Sequence, residues 1–142
     1  MSPKKTFFSW LIAGNMLFSV GCAHISEGLK SFWGSSTKAL EDARIDAARN
    51  IYTGSWNDCF DQVLAIAKEE ELTVFIRDKN KKRIVLMGIP RTINTTEVGV
   101  FFSDLGSGKA EVEVVSLSIE AQEIASEIIF SGLEKIFPQL KP

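Results

Sequence analysis

The chain has 142 residues and a mass of 15.7 kDa, with 45% hydrophobic and 24% charged residues and a formal net charge of −2. That leaves room for one compact domain and excludes disorder throughout, which needs low hydrophobicity and high net charge. It also excludes a strongly basic nucleic-acid binder. Two cysteines and one histidine can build neither the disulfide framework of small secreted scaffolds nor a Cys/His metal cluster.

The first 22 residues fall into three zones. Lys4 and Lys5 form a short positive stretch, and the 14 residues from Phe7 to Val20 carry no charge. A bilayer core of ~30 Å needs ~20 helical residues, so this run is too short to span it. It fits the apolar region of an export signal, with Gly14 and Asn15 weakening it further as a permanent span. The run closes on Gly21 and Cys22.

A cysteine directly after such a run, preceded by a small residue, resembles the lipobox of bacterial lipoproteins. The resemblance implies that Cys22 receives a diacylglyceryl group, that residues 1–21 are removed, and that the new amine is acylated. Two or three acyl chains, at ~0.8 kcal/mol per buried methylene, anchor stably where one is marginal. Ser19 departs from the family pattern, which favours Leu three residues before the cysteine. Two other readings stay open: ordinary signal cleavage after Ala23, and an uncleaved N-terminal anchor. All three place the rest of the chain outside the cytoplasm, facing the periplasm or the exterior. Ala23, rather than Asp, after the cysteine resembles outer-membrane sorting in diderm bacteria.

Residues 23–37 (AHISEGLKSFWGSST) are rich in Gly and Ser and read as a tether. Phe32 and Trp33 within it suit either seating at the headgroup boundary or docking onto the domain. Residues 38–50 (KALEDARIDAARN) are strong helix formers with a narrow stripe of Leu40, Ala43, Ala47 and Ile51. The chain thus divides into a signal (1–21), a lipid-anchored tether and helix (22–50), and an α+β domain (51–138).

The domain opens with a short strand at 51–54. Ser55 then caps a helix whose apolar face carries Trp56, Cys59, Phe60, Val63, Leu64, Ile66 and Ala67. Leu72–Asp78 alternates, with Leu72, Val74 and Ile76 on one side and Thr73, Phe75 and Arg77 on the other. Residues 79–82 turn, Arg83–Ile89 returns, and Pro90 stops it. Thr96–Asp104 and Lys109–Leu117 form a second hairpin around Gly106-Ser107-Gly108. Val98, Val100, Phe102, Ala110, Val112 and Val114 face inward, with Glu111 and Glu113 outward. Ser118 caps a last helix with a full apolar stripe from Ala121 to Phe137, closed by Pro138.

The expected class is α+β, in the order β-α-β-β-β-β-α after the N-terminal signal and helix. An antiparallel sheet with both domain helices on one face is its natural two-layer solution. The order resembles the helix-grip arrangement and the small α+β domains of bacterial envelope lipoproteins, including accessory lipoproteins of outer-membrane assembly.

No residue set points to catalysis, a cofactor or a metal. His24 lies two residues from the anchor, which leaves serine or cysteine nucleophiles without a base. Cys59, on an apolar helix face, reads as buried and inert. Gly106-Ser107-Gly108-Lys109 fails as a phosphate loop, because Ser103 replaces the first glycine and Ala110 the magnesium-binding hydroxyl. Arg77, Lys79, Lys81, Lys82 and Arg83 gather five positive charges at one hairpin. They suit contact with an anionic surface, or a solvated turn that discourages edge pairing. Phe75, Met87, Phe101, Val115 and Leu117 form an unusually apolar outer sheet face. Either the 38–50 helix covers it, another protein does, or the sheet encloses an apolar ligand.

The function expected is therefore that of a non-catalytic, membrane-anchored envelope protein that binds another protein or serves an envelope complex. The alternative is a carrier or sensor of a small apolar ligand held between the sheet and the C-terminal helix.

Overall fold

The computed structural model describes residues 36–140. The chain divides after Lys38, and nearly all the described residues belong to the unit that begins at Ala39. Cys22, His24, Phe32 and Trp33 lie outside the described residues, and the second unit carries the α+β fold.

Residues 39–42 are helical and pass into a 3-10 turn at Ala43–Asp46. Then follow β1 (Ala48–Thr53), α1 (Trp56–Glu69), β2 (Thr73–Asp78), β3 (Arg83–Met87), β4 (Val98–Gly106), β5 (Lys109–Ser116), α2 (Ile119–Glu134) and β6 (Gln139–Leu140). The strands form one six-stranded antiparallel sheet in the order β2-β3-β4-β5-β1-β6. The class is mixed α/β with an antiparallel sheet.

Local chemistry explains most boundaries. The Ser55 hydroxyl accepts from Asp58 N at 3.0 Å and opens α1, and Ser118 does the same for α2 through Ala121 N at 3.3 Å. These caps satisfy backbone donors that a helix start leaves unpaired. Ser107 and Gly108 both have positive φ, as a two-residue hairpin turn between twisted strands requires.

The helices and the inward sheet face share one core. Phe60, Val63 and Ile66 of α1 and Ile124, Ile129 and Leu133 of α2 pack with Ile84, Leu86, Val98, Val100, Phe102, Val112 and Val114. The helices meet closely at Gly132, where an added Cβ would lie 2.5 Å from Ile66 Cδ1. Hydrophobic burial over this interface is the main stabilising term.

Three expectations change. The helix predicted over 38–50 stops at residue 42, and Ala48–Asn50 belong to β1, paired with Val114, Glu113 and Val112. Helix propensity there is outweighed by strand pairing and burial. In β2 a bulge between Val74 and Ile76 pairs Val74 with Leu86 but Ile76 with Val85. The extra residue breaks the period of two, so Val74 keeps the inward face and Ile76 moves to the outer one beside Phe75. Finally, a short β6, beyond the expected end of the pattern, pairs with Ile51 and Tyr52.

Candidate functional site

The outer sheet face is built from two cross-strand rows. In the first, Ile76, Val85, Gly99 and Val115 lie side by side. Gly99 offers no side chain; a Cβ there would sit 2.8 Å from Phe101 Cε2 and 3.5 Å from Leu40 Cδ1. The Phe101 ring takes that space with Leu40 in contact beside it, and the two form a second apolar cluster with Val85 and Val115, flanked by Ala43, Ala47, Phe75 and Ile76.

The second row runs Asp78, Arg83, Phe101, Glu113, Arg49 across five strands. Arg44, from the 3-10 turn, lies over it. Its guanidinium donates from Nε to Glu113 Oε2 at 3.1 Å and from Nη2 to Oε1 at 3.0 Å, and stands 4.4 Å from the Phe101 ring centroid. Arg49 approaches the same carboxylate at 3.8 Å and donates to the Arg44 carbonyl. Arg83 reaches Glu41 at 2.8 Å and Asp78 at 3.7 Å. The leading segment 39–47 is therefore held by a buried leucine between two ion pairs.

This setting separates two neighbouring carboxyls. Burial opposes the charge of Glu113, but the hydrogen bonds and charge of Arg44 outweigh it and hold its pKa below the ordinary value. Glu111 goes the other way: burial first, then the adjacent Glu113, raise its pKa. Arg44 is raised, chiefly by its hydrogen bond to Glu113. Like charges two residues apart on one strand face cannot be equally served by one guanidinium. By alternation alone, Glu113 reads as a solvent-facing residue. The one local signal is Val115, the next residue on the same strand face, which is apolar where a solvent-facing position would be polar.

The five residues expected to form one open apolar surface are divided by this arrangement. Phe101, at 3% exposure, and Val115, at 0%, lie beneath Leu40. Phe75 packs at the margin of that cluster, and Met87 is half-buried at the end of β3. Leu117 is 70% exposed. It lines a shallow cavity of about 390 Å³ with Leu40, Thr95, Thr96, Glu97, Ser116 and Ser118.

The basic hairpin is largely engaged with its own domain. Lys79 pairs with Asp61 at 3.2 Å and stands over Phe60, and Lys82 lies 4.9 Å from the Trp56 ring centroid. Arg83 is tied to Glu41 and Asp78, with its Nε buried and without a hydrogen-bond partner. Arg77 and Lys81 are exposed.

A larger groove of about 600 Å³ runs between the helices, lined from α1 by Ile66 and Glu69, from α2 by Ile128 and Gly132, and by Pro90 and Arg91. No strand residue is in its lining. Cys59 is a free, buried thiol whose pKa burial pushes up to about 11. Tyr52 is buried, its hydroxyl accepts from Asn50 Nδ2 at 3.3 Å, and burial raises its pKa to about 12. Among the described residues no group of three or more His, Cys, Asp or Glu could hold a metal ion. No helix among them is long and apolar enough to cross a membrane.

No protein-family model matches the chain, and no curated protein matches it in sequence.

Proposed function

We propose that this protein is a lipid-anchored, non-catalytic component of a bacterial cell envelope, held at the membrane through Cys22 and acting by contact with another envelope protein. The observation that carries the reading is Cys22 itself, placed after Gly21 at the close of an uncharged run too short to span a bilayer. Ala23 after it favours the outer membrane in a diderm organism, with the domain facing the periplasm or the exterior.

Removal of residues 1–21 takes Lys4 and Lys5 with it and leaves 14 basic against 18 acidic residues, a net charge of −4. That balance favours protein contact over nucleic acid. Between the two non-catalytic readings, the filled sheet–helix core favours the interaction domain. Carriage of an apolar ligand calls for a cavity between sheet and helix, whereas the 600 Å³ groove is lined from the helices and the Pro90-Arg91 loop. Of the outer-face residues, Leu117 remains available for contact.

Intact-mass measurement of the membrane-extracted protein, paired with crosslinking in cells, tests the reading. The expected result is a chain beginning at an acylated Cys22, crosslinked to an envelope protein. An unmodified chain beginning at His24, or a full-length one, would overturn the lipid anchor.

A further inference from the structure

The outward side of a helix laid on a sheet is ordinarily polar. α2 departs from this along a second row of residues. Ala121, Ala125, Ile129 and Leu133 form the row that faces the sheet, each fully buried. Next to it, Ile124, Ile128, Gly132 and Ile136 form another row at the same four-residue spacing. Its burial fades along the chain, from 9% exposure at Ile124 through half-buried Ile128 to 54% exposure at Ile136. All four line the groove of about 600 Å³ between the helices.

The sheet register fixes which ends of the helices meet. Thr73 pairs with Met87, Leu86 with Val98 and Val98 with Ser116, so α1 ends and α2 begins at the same end of the sheet. The helices are therefore antiparallel, with Ile66 against Gly132. Glu69 and Glu70, one turn beyond Ile66, fall on the side of Glu127, and Arg91 joins them from the loop after β3. Lys135 stands at the opposite end of the groove, with Gln62. Among the described residues, no ion pair or side-chain hydrogen bond engages any of these five charges.

We infer that the groove receives a cationic amphipathic helix of another protein. Its apolar ridge lies over Ile124, Ile128 and Ile136, and its lysines or arginines meet Glu69, Glu70 and Glu127. The inference rests on the proposed contact with another protein and names the segment that makes it; the anchor at Cys22 has no part in it. The walls select a helix. Their backbone groups are already paired within α1 and α2, so an added strand would find no ladder to join, whereas a helix brings its own hydrogen bonds. From Ile124 to Lys135, α2 extends about 17 Å at ~1.5 Å per residue, room for about three turns of a further helix. A row at four-residue spacing is the ridge that a second helix accepts between its own rows. Charge selects the sign. Three carboxylates with Arg91 alone among them attract cations and disfavour an acidic segment or an anionic lipid. A second copy, paired symmetrically, would bring only its Lys135 to these three carboxylates.

The test places a photoreactive benzoylphenylalanine in the full-length protein, in the cells that make it, at Ser131 in the groove or at Leu117 outside it. Ser131 is exposed, so the label leaves the core intact. Position 131 should crosslink to another protein, at a peptide with apolar residues at i, i+3 or i+4, and i+7 and with Lys or Arg beside them. Glu69→Lys combined with Glu127→Lys should cut that product by about tenfold or more, since like charges then meet across the interface. Both positions are exposed, and an unchanged unfolding midpoint would show that the fold is kept. Glu69→Gln with Glu127→Gln, which adds no repulsion, should give a smaller loss. A crosslinked peptide without basic residues or helical spacing, a second copy, or a lipid at 131 would overturn the inference. So would a product indifferent to charge reversal. Crosslinks from 117 but none from 131 reject the helix-binding groove and leave contact with another protein standing, whereas no protein crosslink from either position rejects both.

Discussion

Arg44 and Glu113, 69 residues apart in sequence, are joined by two hydrogen bonds of 3.1 and 3.0 Å. The pair ties the leading segment to the central strand β5 on the face opposite the helices. A planar guanidinium meeting a carboxylate with two bonds adds geometric specificity as well as energy. Glu113 has a side-chain exposure of 7% and Arg44 of 36%, so one partner is buried and the other half-screened.

Replacing Arg44 by Ala should therefore destabilise the domain by about 1–3 kcal/mol, since Glu113 is left buried while exposure of the guanidinium discounts the full cost. Arg44→Lys should recover only part, because an ammonium is a point charge and cannot reproduce the fork. Urea denaturation measures both. Limited proteolysis should also find faster cleavage within 39–47 in the Ala variant.

The two carboxyls predict opposite pH behaviour. Glu113 is held below its ordinary pKa, so its contribution is present above the unfolded value and is lost as pH falls through the folded one. Glu113→Gln should be less stable than the parent at pH 7 and converge with it at strongly acid pH. Glu111 is raised, so its favourable contribution is full below the unfolded pKa and vanishes as pH rises through the folded one. Glu111→Gln should thus be no less stable than the parent at neutral pH. Urea midpoints across the acid range check both signs, and a marked loss in Glu111→Gln at pH 7 would refute the assignment.

Burial also distinguishes two residues that look alike in sequence. Phe101 lies under Leu40 and Arg44, so Phe101→Ala should cost about 3–5 kcal/mol, as core aromatic deletions do. Leu117 is exposed, and Leu117→Ser should change stability by no more than ~0.5 kcal/mol. Thermal or urea unfolding of the two variants gives the comparison directly.

Cys59 should resist a water-soluble thiol reagent at neutral pH. Its thiol is buried and its pKa lies near 11, which leaves little thiolate, the reactive form. Reaction should become fast only in denaturant. Rapid labelling of the folded protein would show that α1 opens locally.

Several features of the fold are legible in the linear order of residues. The two helix caps at Ser55 and Ser118 follow from local hydrogen bonding, and the inward faces of β4 and β5 follow from strict alternation. The Ser107-Gly108 turn follows from the backbone freedom a two-residue loop demands. Each of these depends on neighbours within a few positions, where sequence spacing and spatial spacing coincide.

The outer face is not legible in that way, because its order depends on partners far apart in the chain. One extra residue at Phe75 turns Ile76 over, a change that costs nothing in composition and is invisible to a period of two. Ala48–Asn50 carry helix-forming residues, yet their pairing with Val112–Val114 overrides that preference. Glu113 alternates like a solvent-facing residue, and only the arrival of Arg44 above it reveals a buried anion.

Length, hydrophobicity and near-balanced charge left room for one compact domain, the spacing of apolar residues pointed to an α+β class, and the apolar run ending at Cys22 set an expected address at the membrane. Those properties follow from how much apolar area a chain can bury and how far an apolar run can reach. Only the tertiary structure decided which apolar residues stay exposed. Leu40 and Arg44 close the middle of the outer face, while Ile45, Ile93, Leu117 and Ile119 stay exposed. Exposure is a property of what packs above a side chain, and that is set by contacts the linear order does not contain.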